Sequence, residues 1–161
     1  MAIDLWGRDK NKQMKEEELL KELAEGRKEI KTDSYSMSIG EILNFYTEGE
    51  LQLDPAYQRL FRWTDEQKSN FIESILLGIP IPPIFVAQKE GGKWSVVDGV
   101  QRISSILQLT GELKNKEPLT LTTTRKLPSL EGFTWQTLPD DLKRILKRSK
   151  FGINIILTEN S

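Results

Sequence analysis

Apolar residues recur at the three- and four-residue spacing of a helix in several parts of the chain. Ser38 with Glu41, and Thr64 with Gln67, have the spacing of a capping box, which marks where two of these parts begin. Glycine follows both stretches, as is common at helix ends. The pattern predicts helices at residues 14–30, between Ser38 and Gly49, between Thr64 and Gly78, at about 100–109, and from Pro139 onward.

Short runs of β-branched and aromatic residues predict the strands. Residues 84–87 and 94–97 flank Glu90-Gly91-Gly92-Lys93, which is typical of a hairpin turn. Residues 151–157 form a last strand, which we expect to be exposed and to invite pairing with another chain. The polar, Thr-rich residues 114–128 are either a loop or an edge strand.

The chain divides into an N-terminal amphipathic helix or arm, residues 1–33, and a body, residues 34–161, that begins near Tyr35. The helix of the arm is either solvated or docked on the body, and its apolar face is formed by Leu19, Leu20, Leu23 and Ala24. The last strand lies almost at the end of the sequence. We therefore expect the fold to continue in the natural protein or in a partner.

Composition restricts the chemistry that the chain can perform. Of 161 residues, 37% are hydrophobic and 29% charged, which argues against a membrane protein and against full disorder. The chain has no His and no Cys, so imidazole bases, thiol chemistry and zinc fingers are excluded. Any chemistry must use carboxylates, Arg, Lys, hydroxyls and backbone amides.

Charge and the N-terminus suggest a location. The net charge of −1 gives no overall attraction to nucleic acid. The N-terminal residues are polar and of mixed charge, unlike a secretory signal, and no apolar run reaches the roughly 18–20 residues of a spanning helix. We expect a cytoplasmic protein without a membrane partner.

The strongest candidate site is the strand–turn–helix junction at residues 98–102, Asp-Gly-Val-Gln-Arg. The first N–H groups of a helix have no partner within it, and with the helix dipole they favour an anion. Gly99 permits close approach of a ligand, and the guanidinium of Arg102 suits a phosphate. Asp98, expected at the N-cap, either caps the helix or holds Mg²⁺, a nucleotide hydroxyl or water.

A second candidate is the aromatic and basic segment just before residue 64. Arg59 and Arg62 alternate there with Tyr57, Phe61 and Trp63. This composition is typical of a surface that binds anions and stacks on rings. The alternative is that the rings pack inward while the arginines face water.

Three segments are jointly similar to the N-terminal domain of the GmrSD-type restriction endonuclease family, whose hallmark is a DGQQR motif. They are Leu53-Asp54-Pro55 with Tyr57-Gln58-Arg59 and Trp63, residues 71–83 (FIESILLGIPIPP), and Val97-Asp98-Gly99-Val100-Gln101-Arg102. The resemblance covers about residues 34–158. Val100 departs from the motif, because it stands where the family has its first Gln.

The resemblance implies an α+β fold of the ParB/sulfiredoxin-like type, with a small mixed sheet and a nucleotide-binding DGxQR turn. It implies that Asp98 and Arg102 act in hydrolysis of a nucleoside triphosphate, with Mg²⁺ at Asp98. The nucleotide-binding residues that it implies are Arg59, Arg62, Asp98, Gly99, Gln101 and Arg102.

The resemblance also implies a role in restriction of phage DNA. Nucleotide binding and hydrolysis in the family support DNA cleavage by a nuclease. Because this sequence has no His, it holds no HNH-type nuclease, and we expect a nuclease partner or a further C-terminal domain.

Two other functions fit the same residues. The chain is either a ParB-like module, in which a nucleotide switches DNA binding without turnover, or a catalytically silent scaffold.

In the last helix Leu142, Ile145 and Leu146 are expected to face inward. The cations expected to meet DNA, or simply to form a solvated face, are Arg125, Lys126, Lys143, Arg144, Lys147 and Arg148.

Overall fold

The computed structural model of the chain describes residues 3, 7, 9–54 and 62–158. These residues form an α+β structure of five α-helices and a mixed five-stranded sheet. The helices are α1 (Lys10–Glu29), α2 (Ile39–Thr47), α3 (Asp65–Leu76), α4 (Val100–Thr110) and α5 (Asp140–Arg148). The strands are β1 (Ile30–Ser38), β2 (Leu51–Leu53), β3 (Ile84–Gln88), β4 (Trp94–Asp98) and β5 (Lys150–Thr158).

Both predicted capping boxes are confirmed. The Ser38 hydroxyl accepts a hydrogen bond from the Glu41 N–H at 3.1 Å, and the Thr64 hydroxyl accepts one from the Gln67 N–H at 3.2 Å. The Glu41 and Gln67 side chains accept in turn from the backbone N–H of the two cap residues. Each box satisfies helix-end N–H groups and thereby fixes where α2 and α3 begin.

The strands are ordered β1-β5-β3-β4-β2 in the sheet. Strands β3 and β4 form the predicted antiparallel hairpin, which turns through a short 3₁₀ segment at Glu90–Gly92. The prediction that the last strand lies exposed is wrong, because β5 pairs with β1 on one side and β3 on the other. Its alternation of buried Phe151, Ile153 and Ile155 fits this interior position.

Strand β1 is the element that the apolar pattern misses. It runs from Ile30 to Ser38, so the predicted boundary at residues 33–34 falls inside it. Residues 33–36 are all exposed, and β1 pairs only with β5, so no apolar alternation marks it. In α1, the side chains of Leu19, Leu20 and Leu23 are all at least half exposed, which makes this face a solvated one.

One cluster of buried apolar side chains joins the sheet to α2, α3 and α4. Its wholly buried members include Ile72, Ile84, Val86, Val96 and Leu107. Residues 114–128 form a loop that buries Leu119 and Leu121 in the same core. The core therefore holds α3 and α4 together beside the hairpin, and it positions the β4–α4 junction.

Helix α5 only partly follows its prediction. Leu146 is buried and Leu142 half-buried, but Ile145, expected to face inward, is 46% exposed. A helix that packs against its neighbours along a narrow stripe buries fewer residues than the number of apolar positions in its sequence. Among the helices built from the described residues, none is long and apolar enough to cross a lipid bilayer.

Candidate functional site

The polypeptide turns from β4 into α4 at Gly99, which has a φ of +98°. A Cβ atom at this position would lie 3.0 Å from the Arg102 Nη2 and 3.0 Å from Ile84 Cγ1. Two features favour glycine here: the positive φ, and the neighbouring atoms that leave no space for a Cβ.

The prediction that Asp98 is the N-cap of α4 is wrong. The N-cap is Gly99, and among the residues that the structure describes no side chain caps the helix. Asp98 is the last residue of β4, and its side chain is 69% exposed. The first-turn N–H groups of α4 consequently have no capping side chain, which leaves them available to an anion.

The Arg102 side chain folds back over this corner and is only 14% exposed. Its Nη2 donates a hydrogen bond of 3.3 Å to the Pro83 carbonyl and lies 3.8 Å from Asp98 Oδ2. Its Nε is buried and has no hydrogen-bond partner within the described part of the chain. Both contacts are long, so this partly buried guanidinium retains unused donor capacity.

Gln101 connects the corner to the segment before α3. Its side-chain oxygen accepts a hydrogen bond of 2.9 Å from the Trp63 N–H. The Trp63 ring meets Phe71 edge-on, with ring centroids 5.6 Å apart, and Arg62 beside it is exposed. Arg59 lies outside the described residues, as do the other two aromatic residues of the predicted cluster, Tyr57 and Phe61.

A cleft of about 720 Å³ opens at this corner. The structure thus brings together Asp98, Gly99, Gln101 and Arg102 around one cavity. Sequence analysis did not predict that residues 79–82 also line the cleft. The prolines of this segment do predict that its backbone is extended. The lining residues are Trp63, Phe71, Ser74, residues 79–82 and residues 97–102.

The metal prediction rests on Asp98 alone. Within residues 9–54 and 62–158, no group of three or more acidic side chains could hold a metal ion. Mg²⁺ is commonly bound by one or two carboxylates together with substrate phosphates. Asp98 therefore fits a Mg²⁺ ion that is bound jointly with a phosphate, and it does not form a metal site by itself.

A smaller pocket of about 70 Å³ adjoins the cleft between α3, α4 and the loop after α4, and we call it the basic pocket. Lys68 contributes a side chain that is 7% exposed, and its Nζ donates a hydrogen bond of 2.7 Å to Gln108 Oε1. Burial, followed by the charge of Lys116, lowers the pKa of Lys68 from its ordinary value. The lining residues are Arg62, Trp63, Lys68, Gln101, Ser104, Gln108, Leu113, Lys114 and Lys116.

Sequence reasoning missed the basic pocket. A signal existed, because Lys68 stands three and four residues before Phe71 and Ile72, on the apolar stripe of α3. A cation at a core-facing position calls for an explanation. Lys114 and Lys116, by contrast, lie in a polar loop that has no local pattern.

The cations predicted to meet DNA lie away from both cavities. Arg125 and Lys126 are exposed on the loop that follows Thr124. On α5, the Nζ atoms of Lys143 and Lys147 each lie 5.8 Å from the Trp135 ring centroid. Arg144 pairs with Asp141 at 2.9 Å, and Arg148 is exposed. Among the described residues, none of these cations lines the cleft or the basic pocket.

A family model for the N-terminal domain of the GmrSD restriction endonuclease matches residues 39–159. The chain belongs to this family. The match begins at the first residue of α2 and includes both cavities, whereas α1 and β1 precede it. Membership of the GmrSD family points to a restriction-type protein of phage defence. Comparison with curated proteins and with solved structures gave no match.

Proposed function

We propose that this GmrSD-family domain binds a nucleoside triphosphate in the cleft at the start of α4, as the nucleotide-dependent part of a restriction system. The observation that carries the proposal is the Arg102 side chain, only 14% exposed and at the wall of a 720 Å³ cleft, whose buried Nε has no partner among the described residues. Ligand cavities typically measure about 300–1,000 Å³ and combine apolar walls with a few polar groups.

The apolar wall suits the base of a nucleotide. Trp63 offers a partly exposed ring that is backed by the buried Phe71, and the segment 79–82 adds proline rings and isoleucine side chains. Planar bases stack on such rings, and this stacking is worth about 1–3 kcal/mol per base. The base would therefore lie between α3 and the proline-rich segment.

The polar corner suits the phosphate nearest the nucleoside. The first turn of α4 supplies N–H donors, and Gly99 lets the Arg102 guanidinium lie against the backbone beside them. Arg102 can exchange its long contacts with Pro83 and Asp98 for a phosphate oxygen. Asp98 would then be released to hold Mg²⁺ together with the phosphates.

Hydrolysis is part of the proposal, with Asp98 and Arg102 as its residues. Phosphoryl transfer depends on positioning and on stabilisation of charge, and Arg102 would stabilise charge at the phosphate that it contacts. We further propose that the chain has a ParB/sulfiredoxin-like fold and is cytoplasmic. We also propose that a nuclease partner or domain cuts the DNA, and that copies of the chain associate with one another.

A second candidate function is a nucleotide-switched DNA-binding module without turnover. It is supported by exposed cations outside the cleft, namely Arg125, Lys126 and Arg148. Such cations bind the DNA backbone in a salt-dependent manner. DNA binding that responds to nucleotide, without phosphate release, would favour this function over hydrolysis.

Calorimetric titration with each nucleoside triphosphate, with and without Mg²⁺, tests the proposal. We expect Arg102→Ala to weaken binding about tenfold or more, because a charge-assisted contact is lost. Arg144→Ala is the matched control, since Arg144 pairs with Asp141 on α5 and should leave binding unchanged. Binding that survives Arg102→Ala unaltered would reject the site.

A further inference from the structure

The basic pocket gathers positive charge around a very small volume. Arg62, Lys68, Lys114 and Lys116 all line it, and no acidic residue of the described chain does so. Asp65 is nearby, with its Oδ1 3.8 Å from Lys68 Nζ, but its own side chain is 62% exposed. The lining of the pocket is therefore cationic, with buried Lys68 and three exposed cations, Arg62, Lys114 and Lys116.

We propose that the basic pocket binds the terminal phosphate of the nucleotide whose base occupies the adjoining cleft. This inference rests on the proposed function and assigns the distal part of the same ligand. The assignment follows from Trp63 and Gln101, which line both cavities, so that the pocket is the neighbour of the cleft on this side.

Lys68 is the anchor of the pocket. It is 7% exposed, and of its three donor hydrogens one is used by Gln108 at 2.7 Å. Burial and the charges of Lys116 and Arg62 lower its pKa, against a smaller raising effect of Asp65. A bound anion would offset this repulsion, which is why a buried lysine among like charges fits an anion site.

Ser104 supplies an independent indication. Ser104 lines the pocket, and its buried Oγ has no hydrogen-bond partner in the described part of the chain. Buried hydroxyls are nearly always paired, so this one would gain a partner if its side chain turned toward a phosphate oxygen in the pocket. The pocket, at about 70 Å³, has room for roughly two waters of about 30 Å³ each, which suits a single tetrahedral phosphoryl group.

Titration of the chain with AMP, ADP, ATP and inorganic tripolyphosphate tests the inference. Lys116→Gln is the main variant, because Lys116 is exposed and the substitution should not disturb folding. Lys68→Met is the second variant, and Lys93→Gln, an exposed lysine outside both cavities, is the control. We expect Lys116→Gln to weaken ATP about tenfold and to leave AMP unchanged, with no effect of Lys93→Gln.

The outcomes separate this inference from the proposed function. If ATP binds, but Lys116→Gln and Lys68→Met weaken ATP and AMP equally or weaken neither, the pocket does not hold the terminal phosphate. If no nucleotide binds and tripolyphosphate does, in a Lys116-dependent manner, the pocket is a site for free polyphosphate. The nucleotide assignment and the proposed function are then both wrong. If nothing binds, both are overturned as well.

Discussion

Helix α3 buries two ionisable side chains to the same extent, since Lys68 and Glu73 are each 7% exposed. The Glu73 Oε2 accepts hydrogen bonds from the Lys126 N–H at 2.9 Å and from the Leu127 N–H at 2.8 Å. A hydrogen bond with the Thr124 side chain, followed by these backbone bonds, lowers the pKa of Glu73. Lys68 has one close acceptor, Gln108, and like charges beside it.

Both pKa values are lowered, yet the consequence is opposite. A lowered pKa favours the charged form of a carboxylate and disfavours the charged form of an amine. Glu73 therefore has a structural role, because its charged carboxylate holds the Thr-rich loop against α3. The charge of Lys68 is favoured by Gln108 and by the longer ion pair with Asp65, but burial and the charge of Lys116 oppose it.

The largest expected effect comes from Glu73→Gln. The neutral amide keeps the shape but loses the charge that two backbone N–H groups share, so we expect a loss of about 2 kcal/mol in the free energy of unfolding. Denaturant unfolding measures it. Glu131→Gln, at an exposed glutamate, should change stability by less than about 0.5 kcal/mol. Equal effects of the two variants would show that Glu73 is not an anchor.

Acid should reduce this difference. Because the folded-state pKa of Glu73 lies below its ordinary value of 4.5, its contribution is complete above that pH and is lost as pH falls through the folded-state value. Stability of the unmodified chain and of Glu73→Gln should therefore converge in acid. Unfolding curves from pH 7 to pH 3 check this, and a constant gap would contradict it.

Lys68→Met should cost little stability. Removal of a buried charge with like neighbours offsets the loss of its bond to Gln108, so we expect a change within about 1 kcal/mol. The same change should abolish the advantage of ATP over AMP in binding. A loss of stability as large as that of Glu73→Gln would mean that Lys68 is structural too.

The smallest expected effect is that of Lys116→Gln on stability without ligand. Lys116 is exposed and its charge lowers the pKa of Lys68, so its removal relieves repulsion. We expect an increase of a few tenths of a kcal/mol at low salt, which fades as salt screens the charges. Thermal unfolding at two ionic strengths measures it, and a clear decrease in stability would contradict mutual repulsion.

Local signals predicted much of the fold, because they act within a few residues. The two capping boxes, the β3–β4 hairpin and the β4–Gly99–α4 turn are each set by short-range chemistry. Strand β1 was missed because its exposed positions carry no alternation. The place of β5 inside the sheet depends on pairing with two distant strands, which no local pattern records.

The candidate site was predictable in the same uneven way. The motif brought Asp98, Gly99, Gln101 and Arg102 to one cleft, but the role of Asp98 as a cap was wrong because Gly99 occupies that position. The basic pocket joins Lys68 to Lys116, 48 positions later in the sequence, and only tertiary packing brings them together.

A crystal structure of the chain with a non-hydrolysable nucleoside triphosphate tests the central claim most directly. We predict the base against Trp63 and Phe71, the first phosphate at Arg102, and the terminal phosphate within hydrogen-bond distance of Lys68 Nζ and Ser104 Oγ. A triphosphate that lies wholly on the Arg102 side, with Lys68 still bonded only to Gln108, would contradict the account.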